Sequence, residues 1–93
     1  MIRSFADADT GTFWVTGRSR RVPANLRQSA LRKLLMLHSA ATLDDLRIPP
    51  GNRLEPLRGD RKGQHSIRIN DQYRICFVWR QDGPQEVEIT DYH

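Results

Sequence analysis

Residues 65–79 read HSIRINDQYRICFVW, two alternating apolar runs on either side of the polar Asn70, Asp71 and Gln72. Two hairpin registers compete here. A two-residue loop at Asn70-Asp71 pairs Ile67 with Arg74 and drives a charge in among aliphatic side chains. A three-residue loop pairs Ile69 with Tyr73, Ile67 with Ile75 and His65 with Phe77, leaving one continuous apolar face. Hydrophobic matching selects the second. On the opposite face Arg68 then stands across from Arg74, and Ser66 across from Cys76. Like charges paired across a ladder cost up to about 1 kcal/mol, whereas a phosphate between the two guanidiniums makes them a bidentate anion site. Arginines splayed into solvent, or paired with Glu86 or Glu88, are the other reading and stay open.

Working outward, QDGP (81–84) is a turn and EVEITDY (86–92) alternates as a further strand. If that strand lies beside YRICFVW (73–79), residues 91–93 come near Tyr73 and Arg74. Alternation puts Val87, Ile89 and Asp91 on one face and Glu88, Thr90 and Tyr92 on the other. Upstream, RLEPL (53–57) is strand-like and GDRKGQ (59–64) a turn. Pro49, Pro50 and Gly51 end whatever helix precedes them. That helix starts near Pro23 and runs about 18 residues, because Leu26, Ala30, Leu34, Leu37 and Ala41 recur at helical spacing. Arg27, Arg32 and Lys33 read as its solvated face, and His38 as a structural side chain at its margin. Residues 7–17 form a short helix ended by Gly17, with Phe13 and Trp14 in the core, and IRSF (2–5) reads as a first strand. The order is strand, two helices, then four strands. It predicts an α+β fold with helices on one face of a mainly antiparallel sheet of four to five strands.

With 93 residues the chain is expected to form one domain over 1–93. Its single cysteine, Cys76, excludes an intramolecular disulfide and multi-cysteine zinc sites, and reads as a buried structural thiol. The longest aliphatic run is LLML (34–37), so neither a membrane span nor a signal peptide is expected, and the expected location is cytoplasmic. The net charge is +4 and unevenly spread. Residues 47–80 hold eight bases against three acids, a net +5, and the rest of the chain holds seven bases against eight acids. An anionic partner for the second half is implied.

Arginines, a tyrosine and a histidine beside a sheet face suit RNA phosphodiester cleavage. The 2′-hydroxyl must lose a proton, the 5′-oxygen must gain one, and cations must hold the phosphorane's extra charge. RNA carries its own nucleophile, so no metal or cofactor is called for. His93, next to a carboxylate and to Asp91, has anionic neighbours favouring its protonated form, which suits a general acid.

The stretch PPGNRLEPLRGDRKGQHSIRINDQYRICFVW (49–79), the closing VEITDYH (87–93) and the opening MIRSF together resemble the HigB family of toxins of bacterial type II toxin–antitoxin modules, within the RelE-like superfamily. The combination L-x-P-L-[KR]-G-[DN]-R, YRI-x-F and DYH is specific, and the likeness covers nearly the whole chain. The resemblance implies a RelE-like fold with a curved sheet. It implies a metal-independent endoribonuclease, an mRNA interferase that cuts mRNA on the ribosome and so inhibits translation. It also implies a HigA-like helix-turn-helix antitoxin, with operator DNA reached only through the toxin–antitoxin complex. Carried over residue by residue, Asp91, Tyr92 and His93 match the family's catalytic tail, with Asp91 orienting the other two. Arg74 matches the arginine that holds the scissile phosphate, and Arg58 keeps a positive charge at a Lys/Arg position. Glu55 departs from the histidine that some relatives use there; a carboxylate retains the capacity to accept the 2′-hydroxyl proton. The register argument adds Arg68, with Arg61 and Lys62 as RNA-backbone contacts. The competing reading is a cationic RNA- or ribosome-binding inhibitor that does not cut.

Overall fold

The hairpin that decides the fold forms in the register that hydrophobic matching selects. The structure, a computed structural model, describes residues 1–91. Strand β2 (His65–Arg68) pairs antiparallel with β3 (Tyr73–Arg80), matching His65 with Phe77, Ser66 with Cys76, Ile67 with Ile75 and Arg68 with Arg74. Ile69 N–H donates to the Tyr73 carbonyl at 2.9 Å, and the Asn70 side chain accepts from the Gln72 and Tyr73 amides, so the loop is closed locally.

Strand β4 (Gly83–Asp91) pairs antiparallel with β3, and β1 (Glu55–Pro56) with β2, giving the order β1-β2-β3-β4. RLEPL supplies only the two residues of β1, because Pro56 has no N–H with which to extend a ladder. The β3–β4 pairing slips by one residue between Cys76 and Val78, beside Glu86 at φ 52, a bulge that bends β4. The expected first strand is reduced to a single parallel bridge, Phe5 to Val87, carried by backbone bonds from Arg3, Ala6 and Val87. Gly83 permits this approach: a Cβ there would lie 2.4 Å from the Met1 carbonyl oxygen.

Helix α1 (Ala8–Thr16) ends at Gly17, whose φ of 74 lets its N–H return to the Phe13 carbonyl at 2.8 Å. Helix α2 (Arg27–Ser39) is shorter than its periodicity predicts. Pro23 opens a separate 3₁₀ turn at Ala24–Leu26, and Ala40 is already extended. Both helices cover one sheet face. Phe13, Ala30, Leu34 and Leu37 pack with Ile67, Ile75, Phe77, Val87 and Ile89, all buried, and full burial of such side chains stabilises by about 1.5–3 kcal/mol each. Trp14 is half-buried against this core and 5.2 Å from His38, whose Nδ1 accepts from the Ile2 amide at 3.2 Å. Among the described residues no helix is long and apolar enough to cross a membrane.

One expectation for α2 fails. Lys33 is buried, not on the solvated face. It sits three residues after Ala30 and four before Leu37, within the stripe that packs inward.

Candidate active site

The face of the sheet away from the helices carries the polar ladder. Glu55 stands opposite Ser66, Ser66 opposite Cys76, and Cys76 opposite Glu88, while Arg74 lies between Arg68 and Thr90. Arg74 is the ordered centre of this array, its side chain only 12% exposed. Its Nε donates to Ser66 Oγ at 2.7 Å and one Nη2 hydrogen to the Arg53 carbonyl at 2.8 Å, with Glu55 Oε1 3.5 Å from the same nitrogen. Hydrogen bonds from a charged donor contribute about 1.5–3 kcal/mol each. Two fixed neutral acceptors and one half-exposed carboxylate hold the guanidinium while leaving Nη1 outside these bonds.

Arg53 reaches Arg74 through an unusual backbone. It follows the 3₁₀ turn Pro50–Asn52 and takes the left-handed conformation, φ 46 and ψ 53. The turn is anchored from inside. Asn52 is fully buried, its Nδ2 donating to the Leu46 and Ile48 carbonyls at 3.1 and 3.4 Å, while Lys33 Nζ donates to its Oδ1. Burial, then the charges of Arg32 and Arg68, pull the Lys33 amine below its ordinary value.

The arginine pair has the expected register, and Arg68 is ion-paired with the exposed Asp71, three residues on. Like charges across the ladder are relieved by separate local acceptors. Arg61 is also engaged, 2.9 Å from Glu88 and 3.2 Å from Gln64 Oε1. Arg58 and Lys62 are exposed on the segment joining β1 to β2 and form no ion pair among the described residues. Asp91 pairs with Tyr73 and so points to the other face from Arg74. It accepts from Gln72 Nε2 at 2.9 Å and lines a cavity of about 240 Å³ with Asp7, Thr10, Phe13 and Arg21. Tyr92 and His93 lie outside the described residues. The structure therefore brings Glu55 to Arg74, keeps Arg68 across the ladder from it, and turns Asp91 to the opposite face.

Cys76 is fully buried beneath this face, and burial raises its thiol pKa, against the opposing pull of Arg61, Thr90 and Arg74. It stays a protonated packing group. Among the described residues no cluster of three His, Cys, Asp or Glu side chains is placed to hold a metal ion. The residues that the sequence reading passed over are Ser66, Asn52, Arg53 and Lys33. The available signals were the position of Ser66 on the arginine face, the PPGNR turn and the inward spacing of Lys33.

The comparisons agree with this architecture. The family model described as RelE-like toxin of type II toxin–antitoxin system HigB matches residues 3–93. Toxin HigB-1 of Vibrio cholerae is 50% identical over 62 residues, covering 67% of this chain and 65% of that protein. An uncharacterised Haemophilus influenzae protein is 37% identical over 62 residues, 67% of this chain and 61% of its own. The chain thus spans less than two thirds of the length of the curated relatives it matches. A YoeB–YefM complex from Staphylococcus aureus matches in fold alone, with a TM-score of 0.59 at 13% identity, over 100% of this chain and 98% of that one. The match over residues 3–93, on a helix-covered antiparallel sheet, places this chain in the HigB family of RelE-like toxins of type II toxin–antitoxin systems.

Proposed function

We propose that the chain is a ribosome-dependent endoribonuclease that cleaves mRNA during translation without a metal, and that a HigA-like helix-turn-helix antitoxin neutralises it. The observation that carries this reading is Arg74, held by Ser66 and the Arg53 carbonyl with the Glu55 carboxylate 3.5 Å away. A cation fixed before substrate arrives needs no reorganisation when phosphorane charge develops, which is where such groups accelerate most.

In this mechanism the scissile phosphate lies against Arg74, with Arg58 as a second cation. The half-exposed Glu55 accepts the 2′-hydroxyl proton as O2′ bonds to phosphorus. The 5′-oxygen leaves with a proton from His93 or Tyr92, producing a 2′,3′-cyclic phosphate and a 5′-hydroxyl. Asp91, on the opposite face from Arg74, acts here through the tail and not on the phosphate. Lys62 and Arg58 supply exposed charge for RNA backbone, in mRNA or in the ribosome.

The test is to express the chain from a tight promoter and map new RNA 5′ ends during translation, for wild type, Arg74→Ala and His93→Gln. New ends within coding regions are expected for wild type, reduced about 100-fold or more in Arg74→Ala. Growth arrest without new ends, equal in all three, identifies the non-cleaving, ribosome-blocking protein instead.

A further inference from the structure

We propose that Lys33 and Asn52 are positioning residues for Arg74, a buried clamp that acts through the backbone carbonyl of Arg53. The proposal rests on the reading of Arg74 as the phosphate-holding cation.

The chain of contacts is continuous. Lys33 reaches from α2 to Asn52 Oδ1, and the Asn52 amide nitrogen grips the Leu46 and Ile48 carbonyls. Both ends of one fully buried amide are thus used, tying α2 to the loop that precedes β1. The next residue, Arg53, has no freedom to relax: its N–H bonds back to the Pro50 carbonyl at 3.1 Å, and its left-handed backbone aims its own carbonyl at Arg74 Nη2. The left-handed region is unfavourable for a side chain with a Cβ and persists where surroundings over-determine it.

Packing alone does not account for Lys33. Its amine is buried, and among the described residues no carboxylate lies within 4 Å of it. A methionine of similar length fills that space without desolvating a charge. What an apolar side chain fails to supply is a directed donor that fixes the Asn52 amide, and with it the peptide that follows. Arg74 has two fixed neutral acceptors. Ser66 orients Nε from within the sheet, and the Arg53 carbonyl orients Nη2 from the loop. Losing the second leaves the guanidinium plane held by Ser66 and the half-exposed Glu55 carboxylate alone, with more freedom to swing about the Nε–H bond.

The experiment uses the full chain with Lys33→Met, Asn52→Ala, Arg74→Ala and the double variant Lys33→Met/Arg74→Ala. Cleavage of ribosome-bound mRNA is measured as kcat and KM, alongside solvent exchange of the Arg74 Nη hydrogens by NMR, since Nη2 is the nitrogen that the Arg53 carbonyl holds. The expected result is a fall in kcat of about 10- to 100-fold in Lys33→Met, with KM changed less than about twofold. That loss disappears in the Arg74→Ala background, since a clamp acting through Arg74 has nothing left to position. Exchange of the Arg74 Nη hydrogens is expected to quicken about tenfold in Lys33→Met, with the Arg61 signal unchanged. Multiplicative losses in the double variant, or an unchanged Arg74 signal in folded Lys33→Met, overturn the proposal. If Asn52→Ala fails to fold, Lys33→Met decides. If the wild type cuts no RNA, the endoribonuclease reading fails separately, and the Arg74 exchange rate still judges the clamp.

Discussion

Ser66 shows how much one small side chain can set. It is fully buried, and its hydroxyl is the nearer of the two neutral acceptors on Arg74. Ser66→Ala leaves volume nearly unchanged but strands Nε in a poorly hydrated place. We expect it to cost about 1–3 kcal/mol in a urea melt and, under the proposed endoribonuclease activity, to slow cleavage of ribosome-bound mRNA about tenfold, since a misaligned cation stabilises the phosphorane less. A cleavage rate equal to wild type would show that the Arg53 carbonyl alone suffices. At this scale the sequence was legible where pattern dictates environment. The pairing of Ser66 with Cys76 and of Arg68 with Arg74 follows from burying Ile67, Ile75 and Phe77. It was illegible where a charged type occupies an inward position, as with Lys33, or where a backbone carbonyl does the work, as at Arg53.

The elements carry a second lesson, in where they stop. Helix α2 and strand β1 are both shorter than expected: the 3₁₀ turn Ala24–Leu26 that follows Pro23 takes the start of the first, and Pro56 sits inside the second. The 3₁₀ turn Leu43–Arg47 between them is fixed by a capping box. Thr42 Oγ1 accepts from the Asp45 amide, and the Asp45 carboxylate accepts from the Thr42 and Ala41 amides. Those amides hold the Asp45 carboxyl below its ordinary value. A depressed folded pKa means that the contribution is present above the ordinary carboxylate range and is lost as pH falls through the folded value. Asp45→Asn is therefore expected to be less stable than wild type at pH 7, with the gap closing below about pH 4. Urea melts at pH 7, 5 and 3 measure this; a gap independent of pH would remove the carboxylate from the account. The same segment leads to Pro50–Asn52, so its stability bears on the loop behind Arg53.

For the whole molecule, the division of labour is between two sheet faces: one closed by helices, the other carrying the polar ladder around Arg74. The fold class was legible because strand order and helix stripes leave few ways to bury one apolar face. The partner of IRSF was not, since parallel pairing to β4 depends on a contact that no local pattern announces. Gly83 is its most exacting point. With φ at 125 and the Met1 carbonyl 2.4 Å from where a Cβ would stand, Gly83→Ala must shift the backbone. We expect a loss of about 2 kcal/mol or more in thermal or urea unfolding, and a silent substitution would mean that residues 1–3 are not held there. The bridge has a further consequence in time. Ser4 bonds to Glu86, 82 positions away, so residues 2–6 cannot find their place during synthesis until β4 is made and clear of the exit tunnel. Nascent chains released short of β4 would carry residues 2–6 and β3 without their partner, and would be substrates for proteolysis before they were folded proteins.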